Sequence, residues 1–463
     1  MNGRLLFTTG FLFLVVCHVL GMVQASADDW KYDQIRLKNG HRFDGLLVSE
    51  QLDQIHFRYV VRNPGVKTLV FDTTFDKDEI DQLIRLTPAE RRELANRLNQ
   101  LDRNGEREKE RMAKVTVSLH DWELNPKEEG RTYKGKYFEI TSNIDTTFFR
   151  QVVVRLEDIF QAYVDNLGAR LQPKQPVKVL LFRNMNEYRQ WLLKQGLNLL
   201  NPAYYDARKD LMVAGSDLDR LEASLKRTEA EHQEKLKAIN DYHQRLLKHY
   251  SGKPPHHLLQ QIKELQLQIR LTNQDNQSTL DKLREQFFAM LYHEAFHAFL
   301  DHYVYPHREL QTPRWLNEGL AQIFETAVVE TGELRVGHVD TTRLTALQAA
   351  LKDGSLLSVR DLLQADAAQF NVHHSTEAYA ADRTYLAAWA LAYYLAFDRK
   401  LLGKEAMHQF VLTSSSSKDQ TALFEKLVEQ PLPEFERQFR DYFTRLRPDG
   451  SLKPQSSADQ SKK

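Results

Sequence analysis

Two short segments of the chain carry residues whose types and spacing could do chemistry. His293-Glu294-Ala295-Phe296-His297 places two histidines four residues apart. On an α-helix that spacing puts both imidazoles on one face, about one turn apart, within reach of a single ion. Glu294, about 100° round the same helix, can then take a proton from a water beside that ion. Chance supplies about 0.04 such motifs in a chain with this many histidines, so the pattern is informative but does not decide the matter alone. The second segment is Trp315-Leu316-Asn317-Glu318-Gly319-Leu320-Ala321, with 20 residues separating His297 from Glu318. Pro306 and Pro313 bracket a short loop, and Thr312-Pro313 has the N-cap and first-residue types that open a helix. Two helices joined in this way bring Glu318 beside the histidine pair. Two histidines and one glutamate with a fourth position open is the catalytic zinc pattern rather than the closed structural one. A structural reading, with buried hydrogen-bonded histidines and a surface Glu318, gives no reason for Glu294.

Composition narrows the metal chemistry further. The 463-residue chain has one cysteine, Cys17, so a disulfide framework and a cysteine-based zinc site are both excluded. Lys+Arg and Asp+Glu number 63 each, which leaves no whole-chain charge for nucleic acid as a partner. Residues 1–27 read as a secretory signal peptide: Arg4, an apolar run from Leu5 to Val23, and an Ala25-Ser26-Ala27 ending. Val16 precedes Cys17 where a lipoprotein box needs a small residue. The mature chain is therefore expected to lack cysteine and any membrane-spanning segment, and to be secreted or held in the periplasm or cell envelope.

The elements that must position the site follow from periodicity. Residues 32–86 alternate as strands around Asn39-Gly40, a two-residue hairpin signal, and predict a small SH3-like or Sm-like β-barrel. Residues 87–114 are charge-rich and predict a solvated linker helix. From 115 the pattern is mixed: strands at Tyr137–Thr141 and Val177–Phe182, helices at Thr146–Leu167 and Asn186–Leu193, and a hairpin or edge strand over Ala203–Ala214. Residues 217–277 repeat apolar positions every three or four residues on either side of Ser251-Gly252-Lys253-Pro254-Pro255, which predicts an inserted antiparallel coiled-coil hairpin. That hairpin is a candidate surface for a protein partner, and His232 on its seam reads as a tolerated polar position. The site helix is predicted over Leu280–His302, with Ser278 or Thr279 as its N-cap. Helices continue from Thr341, with Phe435, Phe439 and Phe443 on one core face, and residues 447–463 read as a disordered tail.

His-Glu-x-x-His followed by Trp-Leu-Asn-Glu-Gly-x-Ala resembles the gluzincin metallopeptidases, and the second motif resembles their aminopeptidase N branch nearly letter for letter. The resemblance is closest to the peptidase-MA-like domains of secreted bacterial proteins. It covers roughly residues 135–445 less the hairpin. It implies zinc on His293, His297 and Glu318, Glu294 as general base, and Asn317 as the residue that orients a ligand histidine. The stretch Arg383-Thr384-Tyr385 through Leu395 is similar to the helix that follows the catalytic tyrosine of aminopeptidase-like gluzincins, which implies that Tyr385 donates to the developing oxyanion. Tyr379, His373, His374 and Arg383 are fallback donors. The chain contains no Gly-x-Met-Glu-Asn segment, which those aminopeptidases use to hold a free amine. Gln322 stands where thermolysin-like relatives have a histidine-orienting Asp, and Asp301 is the expected alternative outer partner.

The resulting expectation is an α+β chain. A mainly helical zincin-like catalytic domain spans 115–446, preceded by the small β-barrel and interrupted by the coiled-coil insertion. The expected activity is zinc-dependent hydrolysis of a peptide or protein substrate, within the chain rather than at its end. The alternative is an inactive gluzincin-fold binding or assembly protein of the envelope, acting through the β module and the hairpin.

Overall fold

The computed structural model describes residues 30–173, 175–199, 201–370 and 382–454. The signal-peptide reading of 1–27, the fallback donors His373, His374 and Tyr379, and residues 455–463 of the expected tail lie outside the described residues. The fold is mixed α+β.

Strands β1 (Asp33–Leu37), β2 (Arg42–Glu50), β3 (Gln54–Val61), β4 (Leu69–Asp76) and β5 (Ile80–Ile84) form one antiparallel sheet in the order β4-β3-β2-β1-β5. Gly40, at φ 88°, makes the β1–β2 turn that the Asn-Gly pair predicts. The expected barrel is corrected here. β5 crosses to pair with β1 and the sheet stays open. Closure is unnecessary because the alternating side chains are covered another way. Ile35, Ile55, Phe57 and Phe75 form a cluster on one side, while Trp30, Leu46, Val60 and Val70 meet Leu94 and Leu98 on the other. Those two leucines belong to α1 (Pro88–Gln100), which Thr87 and Glu90 start with a reciprocal capping box. The expected solvated linker is therefore two helices, α1 and α2 (Glu106–Lys114), and α1 is part of the first module's core.

A second, six-stranded sheet has the order β10-β11-β9-β8-β7-β6, from β6 (Ser118–Trp122), β7 (Asn125–Lys134), β8 (Phe138–Ser142), β9 (Val177–Phe182), β10 (Ala203–Asp206) and β11 (Leu211–Gly215). β9 runs parallel to both neighbours, and β10–β11 is the hairpin expected over 203–214, with Ala203 opposite Ala214. α3 (Thr146–Asn166), capped by Asp145, packs on the long helix that carries the histidines. α4 (Met185–Lys194) follows β9.

The arm expected over 217–277 is present, but it does not end where the sequence placed its end. α5 (Leu218–His249) turns through Ser251 and Gly252, both at positive φ, into α6 (His256–Phe299). α6 is one unbroken helix of 44 residues, so Ser278 and Thr279 lie in its interior and cap nothing. No glycine or proline occurs between residues 256 and 299 to interrupt it. Midway along the arm His232 Nδ1 meets Asn273 Oδ1 at 2.5 Å, so the polar seam position is paired. Among the described residues no helix is long and apolar enough to cross a membrane.

The first sheet is fastened to the segment just beyond the site. α7 (Arg314–Phe324) leads into the β12–β13 hairpin (Val328–Glu330 and Glu333–Arg335). From that hairpin the buried Arg335 donates to the carbonyls of Val66 and Asn63, and Glu330 accepts from the backbone N–H and hydroxyl of Thr68. Arg62 lies over the Trp30 ring and pairs with Glu333.

Candidate metal centre

Helix α6 presents His293, Glu294 and His297 from its last turns, while Ala295, Phe296, Ala298 and Phe299 are buried in the core. Phe296 stacks on Phe324 of α7 with ring centroids 4.4 Å apart, and Tyr163 of α3 packs edge-on against both. This aromatic wedge sets α7 against α6. A second contact sets it from the other side: a Cβ on Gly319 would sit 2.3 Å from the Ala388 carbonyl oxygen. The glycine of the Asn-Glu-Gly segment is what lets α7 approach the Arg383–Tyr393 helix closely enough for Glu318 to face the histidines.

His293, His297 and Glu318 each offer one ligand atom, and these atoms lie within 4.8 Å of one another. Glu318 Oε2 is 3.5 Å from His293 Nε2 and 3.7 Å from His297 Nε2. A tetrahedral ion with bonds near 2.0–2.1 Å holds its donors roughly 3.3 Å apart, so the two spacings suit an ion of that size. His293, Glu318 and Glu294 are almost wholly buried.

The ring orientations are set from behind. His293 Nδ1 lies 2.8 Å from Glu325 Oε2, and His297 Nδ1 lies 2.9 Å from Asn317 Oδ1. Both partners are acceptors, so each Nδ1 carries a hydrogen and each Nε2 turns toward Glu318. Glu325 is itself gripped by the buried Arg343, whose Nη2 donates to Oε1 at 2.5 Å. Burial would raise the Glu325 carboxyl, but Arg343 and His293 outweigh it and hold the group below its ordinary value. Burial would likewise lower His293, yet hydrogen bonding to Glu318 and Glu325 raises it to about 10. His297 goes the other way, to about 4, because its burial exceeds the pull of Glu318. Glu318 is held low against its own burial by His297, His293 and Arg314, the last with its guanidinium 3.4 Å from Oε1.

Glu294 faces the backbone of Tyr205 on the edge strand β10, which favours its charged form. Its Oε1 is buried without a hydrogen-bond partner among the described residues. Burial and the neighbouring Glu318 push its carboxyl up to about 7, with His293 opposing. That places it near the range in which a carboxylate both takes and returns a proton at neutral pH.

The other expected site residues divide. Asn317 is at the site, on His297. Asp301 is not the outer partner of a histidine ligand. α6 passes into a π turn at Leu300–Val304, which directs the Asp301 carboxylate to the Tyr205 hydroxyl (2.8 Å) and to His307 Nδ1 (2.8 Å). It therefore anchors β10 from below. Gln322, in the place where an orienting Asp was sought, is buried and donates to the Tyr385 carbonyl at 3.1 Å, joining α7 to the Arg383–Tyr393 helix. Tyr385 is buried nearby: its hydroxyl donates to the Phe370 carbonyl at 2.5 Å, and burial together with the neighbouring Glu318 pushes its phenol up. Arg383 begins that helix behind its Asp382 cap.

Sequence reasoning missed Glu325 and Arg343. Glu325 stands seven residues after Glu318, two helical turns along the same face, which was the available signal. Nothing local marks Arg343. It arrives from the Thr341–Asp353 helix, where Asp340 caps the first turn by accepting from the Arg343 backbone N–H.

No curated protein matches the chain. A family model described as a protein of unknown function (DUF1570) matches residues 288–419. The similarity to that family thus falls on the stretch that contributes His293, His297, Glu318, Glu294, Glu325 and Arg343.

Proposed function

We propose that this chain is an exported zinc-dependent hydrolase of peptide bonds, related to the gluzincins. The observation that carries the reading is the pair of Nδ1 contacts to Glu325 and Asn317, which turn both Nε2 atoms onto Glu318. His293, His297 and Glu318 would hold the ion, which supplies Lewis acidity toward water and the scissile carbonyl. Glu294 takes the proton of the attacking water and returns it to the leaving amine. Its unpartnered Oε1 and its carboxyl near 7 support that role. The edge position of β10, next to Glu294, supports an extended polypeptide as substrate, because an edge strand can pair with one. The Ala25-Ser26-Ala27 ending of the N-terminal apolar run supports export.

The test combines metal analysis of the purified chain with cleavage of casein and a peptide library. Wild type and Glu294→Gln should both carry one zinc, and only wild type should cleave. Cleavage surviving Glu294→Gln refutes the mechanism. Stoichiometric zinc with no cleavage of any unfolded substrate by wild type refutes the hydrolase and favours the binding protein.

A further inference from the structure

The base of the helical arm does more than space it from the core. A cavity of about 790 Å³ lies in the wedge between the first turns of α5 and the segment of α6 that precedes His293. That volume is in the range of a small-molecule site. His293 and Glu325 are among its lining residues, whereas Glu294, His297 and Glu318 are not. It therefore touches the metal centre on the side of the His293–Glu325 contact.

The wall is held apart. At the base of the arm Arg284 Nη2 donates to Glu222 Oε2 at 2.5 Å, and Asp219 accepts from the Asp145 backbone N–H at 2.7 Å. These contacts fix α5 to α6 and to the start of α3, so the wedge does not collapse to fill itself. Its walls are largely apolar, with Leu221 from α5, Phe287 and Met290 from α6 and Met185 from the start of α4, beside the polar Gln286 and Ser216.

The lip has the opposite character. Arg220, Ser224 and Arg227 lie at i, i+4 and i+7 on α5, one stripe of the helix, and all three are exposed. Neither Arg220 nor Arg227 has a hydrogen bond or ion pair among the described residues. The two carboxylates of the lining are already engaged: Asp217 accepts from the Met185 N–H at 3.4 Å, and Glu325 is held by His293 and Arg343. The site is a largely apolar chamber with two free guanidiniums on its exposed rim.

The geometry points to a single-chain anionic amphiphile as its ligand: one long apolar chain, ending in a carboxylate, that enters chain-first and leaves its head group on Arg220 and Arg227. The apolar chain replaces water against Leu221, Phe287 and Met290, and the guanidiniums bind the carboxylate by charge-assisted hydrogen bonds. This assignment does not depend on the hydrolytic reading.

The experiment is a titration of the full-length chain with a fluorescent polyene fatty acid, run with added zinc and again with chelator. Saturable one-to-one binding in both conditions is expected, with displacement by palmitate and at least about tenfold weaker displacement by hexadecanol, which has the chain without the charge. Arg220→Glu combined with Arg227→Glu changes exposed residues only and should weaken the acid by about tenfold or more while leaving hexadecanol unchanged. Leu221→Trp should weaken both by crowding the apolar wall. Glu294→Gln should bind like wild type, so a failed hydrolase assay would not affect the result. Absence of saturable binding, equal displacement by palmitate and hexadecanol, an unchanged affinity in the charge-reversed variant, or binding to anionic phospholipid vesicles without binding of monomeric acid would each overturn the proposal.

Discussion

Glu325→Gln is the substitution that isolates what the structure adds to the motif. It keeps the shape of the side chain that supports His293 Nδ1 at 2.8 Å and removes its charge. Loss of such an outer partner lowers metal affinity by about 10–100-fold. That range corresponds to about 1.4–2.7 kcal/mol. A second effect must be separated from it, because the buried Arg343 loses its carboxylate partner, and breaking a buried ion pair costs about 3–5 kcal/mol of stability. Adding Arg343→Met to Glu325→Gln removes the unmatched guanidinium. It should recover much of the folding stability while leaving zinc affinity low. Competition for zinc against a chromophoric chelator reads the affinity, and urea unfolding in chelator reads the fold. Zinc affinity within about twofold of wild type in a folded Glu325→Gln protein would show that the contact does not orient the ligand, and the reasoning would fail.

Three further outcomes are expected. Gly319→Ala places a Cβ 2.3 Å from the Ala388 carbonyl and should cost about 1–3 kcal/mol, read as a lower thermal midpoint; an unchanged midpoint would mean the helices part at no cost. Arg335→Ala removes the donor to Val66 and Asn63 and should cost about 1–3 kcal/mol, with the first module becoming sensitive to protease at residues 85–115; uniform resistance would show that the clamp is dispensable. Zinc at about 100 times its dissociation constant should stabilise the chain by about 2.7 kcal/mol, and His293→Ala should abolish that response. A full response in His293→Ala would remove this histidine from the ligand set.

Much of the site was legible along the chain because its chemistry is written at helical spacing. His293 and His297 are one turn apart, and Asn317 and Glu318 are adjacent, so three candidate ligands and one outer partner could be named before any contact was known. The strands of the first module and the β10–β11 hairpin were legible for the same reason, through alternation and turn residues. What failed lay where a local pattern permits two outcomes. The alternating strands of residues 32–86 are compatible with a barrel or an open sheet, and the choice rested on Leu94 and Leu98 of α1 covering one face. Ser278 and Thr279 resemble caps, but a helix already running from His256 has no reason to stop there.

By itself, then, the sequence determined which residues could bind an ion, because that depends on side-chain type and on spacing within one helix. Only the tertiary structure decided how those residues are held. Arg343 reaches Glu325 from a different helix, the π turn after Phe299 takes Asp301 to Tyr205 and His307 and away from His293 and His297, and Tyr385 donates its hydroxyl to the Phe370 carbonyl. It also decided that the arm and the site helix enclose a chamber between them. These are contacts between segments distant in the chain, set by which apolar faces pack together, and no local periodicity encodes them.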